Sequence, residues 1–263
     1  ILKLWELSTG CRIKNFTGWH LHSRVVFSPD GRLALSSSGN TVRVWQVSTG
    51  RNISTFTGHT HSVNSIAVSP DSRFALSSET WDNTFKLWEI SSGREIETFR
   101  GHFGPIYSIV FSPDGRLALS GSQDQTMRLW EISTGRNIRT FSGHSHFVQS
   151  VAFSPDGHFA LSGSWDNTMK LWEVSSGREI RTFEGHSGTV NSVVFSPDSL
   201  FVLSGSSDES MKLWKISTAH EIRTYKGNAD SVNFVAFSPN GRFALSESKD
   251  STARIWDVGS GSE

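Results

Sequence analysis

An all-β fold of repeated four-stranded antiparallel units is predicted by three observations. Tryptophan recurs at near-constant spacing: Trp5, Trp45, Trp88, Trp130, Trp172, Trp214 and Trp256 lie 40, 43, 42, 42, 42 and 42 residues apart. Successive units are nearly copies, residues 101–142 matching 143–184 at 26 of 42 positions. Within each unit the short apolar runs are separated by turn residues, and none carries helical periodicity of useful length.

The unit beginning at Gly143 shows why each element forms. A first strand, 148–153, ends in Ser154-Pro155-Asp156-Gly157, a turn in which proline presets φ and glycine accepts positive φ. A second strand, 159–164, carries small Ala, Ser and Gly residues that permit close sheet packing, and Asp166-Asn167-Thr168 turns it tightly. A third strand, 169–174, interleaves Lys170 among apolar residues at period two. Ser176-Gly177 then leads into a fourth strand, 179–183, and Gly185-His186 opens the next unit. Such a unit cannot bury both its faces, so neighbours must stack, and around an axis stacked units make a propeller.

The Gly-His start, the Ser-Pro-Asp-Gly turn and the Trp-acid end, as in Trp88-Glu89, Trp130-Glu131, Trp172-Glu173 and Trp256-Asp257, resemble the WD40 repeat family across essentially the whole chain, in its highly repetitive bacterial form. The resemblance implies an all-β WD-repeat β-propeller, one domain over 1–263. It also implies a hydrogen-bonded tetrad in each blade: His144, Ser162, Asp166 and Trp172; His102, Ser120, Asp124 and Trp130; His186, Ser204, Asp208 and Trp214; and His59, Ser77, Asp82 and Trp88, despite an extra residue around Glu79 and Thr80. A buried imidazole, hydroxyl and indole N–H each need a partner, and a carboxylate accepts several donors. Two blades depart from the pattern. Asn228 replaces His in the last. In the first, Trp19 precedes His20 and Gly39 stands where Asp is expected, so that blade should be the least rigid. Strand counting predicts six full blades, or seven if residues upstream are missing. The ring should be closed by an outer strand, 12–16, pairing with the C-terminal sheet, and exchange of residues 1–16 between chains would allow a strand-swapped dimer.

The totals narrow the function classes. Lys plus Arg and Asp plus Glu each number 25, so a neutral chain offers no electrostatic footprint for nucleic acid or an anionic membrane. One cysteine, Cys11, excludes an intramolecular disulfide and suits a reducing compartment, and with no signal segment a cytoplasmic location is expected. Enzyme signatures are absent: there is no Gly-x-Ser-x-Gly elbow, phosphate loop, dinucleotide fingerprint or His-Glu-x-x-His. The Ser-His-Asp sets recur from blade to blade, as a catalytic triad would not. The pairs His20/His22, His59/His61 and His144/His146 have metal-ligand alternation, but no carboxylate at matching spacing completes a site, so neither metal nor cofactor is expected. The cations two residues before each tryptophan, such as Lys86, Arg128 and Lys170, read as a repeat feature meeting polar neighbours.

The residues that vary between repeats are those a ligand can select. Trp81 and Trp165, outside the tryptophan repeat, each precede a turn Asp, with Tyr107, Gln123, Phe147 and Gln149 at the starts of neighbouring blades. An aromatic group rimmed by amides is the make-up of a protein-binding hot spot, so the six residues are the candidate partner-binding site for a peptide or partner domain. Asp230, Asn233 and Lys249, with Asn64 and Asn191, read as a solvated rim. The alternative is a small-ligand or metal site in the central channel or His-rich face. The resemblance further suggests a sensor or scaffold arm of a larger signalling protein.

Overall fold

The computed structural model describes residues 2–6, 11–16 and 24–263. They contain 25 strands and no helix, and therefore no helix long and apolar enough to cross a membrane. The chain divides into two compact units, Ile1–Gly101 and His102–Glu263.

The first unit holds a two-stranded sheet, β1 (Leu2–Glu6) and β2 (Cys11–Phe16), and two four-stranded sheets. These are β3 (Val25–Phe27), β4 (Leu33–Ser38), β5 (Thr41–Gln46) and β6 (Asn52–Phe56), then β7 (Val63–Val68), β8 (Phe74–Glu79), β9 (Phe85–Glu89) and β10 (Glu95–Phe99). The second unit holds three more four-stranded sheets and one of three strands. The first of these comprises β11 (Ile106–Phe111), β12 (Leu117–Ser122), β13 (Thr126–Glu131) and β14 (Asn137–Ser142). The next comprises β15 (Val148–Phe153), β16 (Phe159–Ser164), β17 (Met169–Glu173) and β18 (Glu179–Phe183). There follow β19 (Val190–Phe195), β20 (Phe201–Ser206), β21 (Ser210–Lys215) and β22 (Glu221–Lys226). The three-stranded sheet is β23 (Val232–Phe237), β24 (Phe243–Ser248) and β25 (Ala253–Asp257). All pairings are antiparallel between consecutive strands, and the four strands expected after Gly143 appear within one residue of their predicted limits.

The outer strand expected to complete the C-terminal sheet has a different partner. β2 pairs with β1, Leu2 opposite Phe16 and Glu6 opposite Cys11, and among the described residues β25 ends its sheet without a fourth strand. The closed ring predicted from strand counting is thus not formed by this pairing. Its physical reason is local: Leu2-Lys3-Leu4-Trp5 is itself a tryptophan strand, and a hairpin to the next strand closes a far shorter loop than a link across the whole chain.

Sheet stacking follows from the small residues of the second strand in each blade. A Cβ on Gly163 would lie 2.8 Å from the γ-methyls of Val190 and Val193, and one on Gly205 would lie 2.6 Å from Val232. The core of the second unit is therefore a series of Val–Leu–Met–Trp layers between successive sheets, with Leu161, Met169, Phe183, Val190, Val202 and Trp214 forming one of them. A repeating polar contact adds to the stack: the hydroxyls of Ser108, Ser150 and Ser192 accept the backbone N–H of Val151, Val193 and Val235 in the following blade, at 3.1–3.2 Å.

The Ser-Pro turns are built as their sequence requires. The hydroxyl of Ser154 donates to Asp156 Oδ1 and accepts from the N–H of Phe159 at 2.9 Å, while Asp156 Oδ1 accepts the N–H of His158 at 2.9 Å. Gly157 holds φ at 74°, the left-handed conformation this turn needs.

Candidate functional site

Because consecutive strands of a blade run antiparallel, its hairpins alternate between two ends. The Ser-Pro turns share one end with the Ser-Thr-Gly or Ser-Ser-Gly turns. The Asp turn and the Gly-His segment share the other. In the second unit the latter end is organised by tetrads. Ser162 sits between the Nε1–H of Trp172, 2.8 Å away, and His144 Nε2 at 2.7 Å; His144 Nδ1 then reaches Asp166 Oδ2 at 2.7 Å. The sets His102–Ser120–Asp124–Trp130 and His186–Ser204–Asp208–Trp214 repeat this arrangement. Asp166 also caps its own turn, Oδ1 accepting the N–H and hydroxyl of Thr168, with Asn167 at φ 68°. Burial would raise the carboxyls of Asp124, Asp166 and Asp208, but hydrogen bonds from the histidine and the turn outweigh it and hold them well below the usual carboxylate range.

The tetrad expected at His59 has a different acid. His59 Nε2 meets Ser77 Oγ at 2.6 Å and Trp88 Nε1 donates to the same hydroxyl at 2.7 Å, but His59 Nδ1 faces Glu79 Oε2 at 3.1 Å, not Asp82. The extra residue in this turn moves Asp82 out to cap Thr84, and the fully buried Glu79, opposite Val63 where other blades carry serine, reaches back to the imidazole. Glu79 also accepts the N–H and hydroxyl of Thr60 at 2.7 and 2.9 Å and lies 3.5 Å from His61 Nδ1. A carboxylate does therefore join the His59/His61 pair, contrary to the expectation from spacing. Donor atoms of His59, Glu79 and Asp82 lie within 4.8 Å of one another, each already engaged by the protein. His20 and His22 lie outside the described residues, as does Trp19.

In the last blade Trp256 donates to Ser246 at 2.9 Å, and Ser246 donates to Asn228 Oδ1 at 3.2 Å. Asn228 is too short to reach Asp250, and its Nδ2 is buried without a partner.

Four of the six predicted site residues meet in the second unit. Phe147 packs 5.1 Å from Trp165 and 6.1 Å from Tyr107, centroid to centroid, and Trp165 donates its indole N–H to Gln149 Oε1 at 3.0 Å. Trp165 lies at the β16–β17 turn and Phe147, Gln149 and Tyr107 near the starts of β15 and β11, so all four stand at the tetrad end. Gln123, in the β12–β13 turn, is not part of this ring cluster; its side chain packs beside Gly104. Trp81 is 69% exposed in the β8–β9 turn of the first unit.

Two participants escaped the sequence reading of the site. His146 stacks on Trp165 at 5.5 Å and 15°, its Nδ1 accepting the N–H of Phe147 at 2.9 Å. Phe103 is the most exposed large apolar side chain described, at 85%, with the Arg128 guanidinium 5.6 Å from its ring centre. Its signal was available: Ser145 and Ser187 occupy the same place after Gly-His in the next two repeats. The rim residues are partly committed to the fold. Asn191 Nδ2 bridges to Ser207 Oγ, Ser231 Oγ and the Val232 carbonyl, while Asn233 and Lys249 are exposed.

The described lysines before the tryptophans meet polar neighbours, as expected from the repeat. Lys86, Lys170 and Lys212 each pair with a glutamate of the outer strand, Glu95, Glu179 and Glu221, at 2.7–3.0 Å.

Comparison with curated proteins finds no match. The family model for the WD domain, G-beta repeat, matches six consecutive segments, residues 11–46, 50–89, 93–131, 135–173, 177–215 and 219–257. Each holds one outer strand and the first three strands of the sheet that follows, and the chain belongs to the WD40 repeat family, an all-β chain of the WD-repeat propeller class.

Proposed function

We propose that this chain is a non-enzymatic docking scaffold that holds a peptide or partner domain against the exposed aromatic group at the tetrad end of its blades. Repeats of this family generally mediate protein–protein interaction. The observation that carries the finer reading is Trp165. The repeat places Gln123 and Ser207 at the equivalent turn position, so the fold does not require an aromatic ring there. Yet the indole is oriented by Gln149, stacked on His146 and set against Phe147, while 43% of its surface remains exposed. A pre-oriented, exposed tryptophan costs little conformational entropy when a partner covers it. Trp81, likewise exposed and likewise before a turn Asp, offers a separate contact in the first unit.

The test compares partner capture by the wild type and by Trp165→Ala and Phe147→Ala variants with unchanged melting temperature. A partner held by the wild type should lose about 2 kcal/mol, roughly thirtyfold in Kd, on loss of Trp165. An unchanged partner set would make the cluster a cover for the blades.

A further inference from the structure

The blade β11–β14 lacks a charge that its neighbours have. In β15–β18, Lys170 lies opposite Thr182, and Trp172 lies opposite Glu179, whose carboxylate neutralises the lysine at 3.0 Å. The same register in β11–β14 puts Arg128 opposite Thr140 and Trp130 opposite Asn137. Asn137 cannot neutralise a cation, and its Nδ2 is buried without a partner. Among the described residues Arg128 retains one ionic neighbour, Asp124 Oδ2 at a marginal 4.0 Å. That carboxylate is already committed: Oδ2 accepts from His102 at 2.7 Å and from the N–H of Phe103 at 3.0 Å, and Oδ1 from Thr126. Arg128 is left with its side chain 14% exposed and its Nε buried without a partner.

A second departure coincides with the first. Phe103 takes the place of a small serine and lays its ring beside this guanidinium, itself almost wholly in solvent. The outer-strand glutamates of the neighbouring blades are about a third exposed where they meet their lysines, as Glu179 is at 35%, so the corresponding seat in this blade opens to solvent. A desolvated guanidinium gains most from a carboxylate, which it can take through two parallel N–H bonds.

We infer that the docked partner supplies the missing carboxylate: an Asp or Glu side chain on an apolar segment, its acid on Arg128 and its apolar neighbour on Phe103. This inference rests on partner docking at the tetrad end and names the chemistry of that partner. The blade is a receptor for an acidic–apolar peptide, and the Lys–Glu pairs of the β7–β10, β15–β18 and β19–β22 sheets show the interaction it completes; the β3–β6 sheet shares the exchange, with Arg43 and Asn52, so it is Phe103 beside Arg128 that marks this blade.

The variant Asn137→Glu restores the repeat's own carboxylate and so fills the seat from within; Asn137→Gln is its neutral control. The probe is an array of 12-residue peptides, each present as a pair differing only by Glu or Gln at one position. Peptides retained by the wild type and by Asn137→Gln should prefer the Glu form at least about tenfold, and Asn137→Glu should remove that preference while raising the melting temperature. Equal retention of Glu and Gln forms, or a preference that survives Asn137→Glu, overturns the inference. If retention then still depends on Trp165, the docking reading stands and only the carboxylate seat fails. Retention of no peptide, in either form, overturns both.

Discussion

Glu79 Oε2 stands 3.1 Å from His59 Nδ1, in the seat that Asp124 Oδ2 occupies against His102 at 2.7 Å. A residue inserted into one turn has thus exchanged the acid of a tetrad without dissolving it. The longer side chain projects from the strand itself, while the aspartate that normally serves is left to cap the turn.

The exchange predicts unequal costs. Glu79→Ala strands the imidazole N–H and the Thr60 donors in a buried place and should destabilise the protein by about 2–3 kcal/mol. Asp82→Ala removes only the cap on Thr84 and should cost about 1 kcal/mol. Urea midpoints of the two variants measure the difference; equal losses would return Asp82 to the tetrad.

Asn228→His should stabilise the last blade. Asp250 already accepts the N–H of Ala229 at 2.9 Å, as Asp124 accepts that of Phe103, so the acid waits in place. A histidine there would join Ser246 to Asp250 and remove the orphaned Nδ2, a gain of about 1 kcal/mol seen as a higher melting temperature. A fall would show that the last blade lacks room for the ring.

Gly163→Ala tests the stacking of the second unit. Its new methyl must displace Val190 and Val193, which should cost about 1–3 kcal/mol by overpacking. Gly157→Ala meets only Pro113 at 3.7 Å and carries only the left-handed backbone penalty, about 1–2 kcal/mol. Cavity-making Val190→Ala in the Gly163→Ala background should recover part of the first loss and none of the second.

Stability should fall as pH drops below the ordinary histidine value. Burial lowers the basicity of His59 and His102, outweighing the nearby carboxylates. The unfolded chain then binds more protons than the folded one below about pH 6.5, so unfolding free energy rises with pH across that window and is lost on acidification. Asp124, Asp166 and Asp208, held low in the folded state, add a second loss below about pH 3.8. Urea midpoints at pH 8, 6 and 5 measure the first step, and a midpoint that rises toward pH 5 would contradict it.

Strands, turns and three of the tetrads were legible in the sequence because period, turn chemistry and polar satisfaction all point the same way in each repeat. The acid at His59 was not, since spacing alone favours Asp82 and only three-dimensional reach favours Glu79. The partner of β2 is not legible for a related reason: its pattern fits any outer-strand seat, and the choice between them depends on loop closure. Within the site, Trp165 and Phe147 stood out as aromatics foreign to the repeat. His146 forms a His-x-His pair with His144, a pattern of metal ligation that carries no sign of the stacking on Trp165. Phe103 stood in plain view as a bulky residue at a serine position, and its meaning came only with Arg128 beside it.

The docking surface is tested most directly by placing a photoreactive amino acid at the exposed Ser145, next to the His146 that stacks on Trp165, and, separately, at Ser133 on the opposite end of the blades, and irradiating each protein with its captured partner. A cross-link is expected from position 145 and none from 133. Cross-linking from 133 alone would put the partner on the Ser-Pro turn end and contradict it.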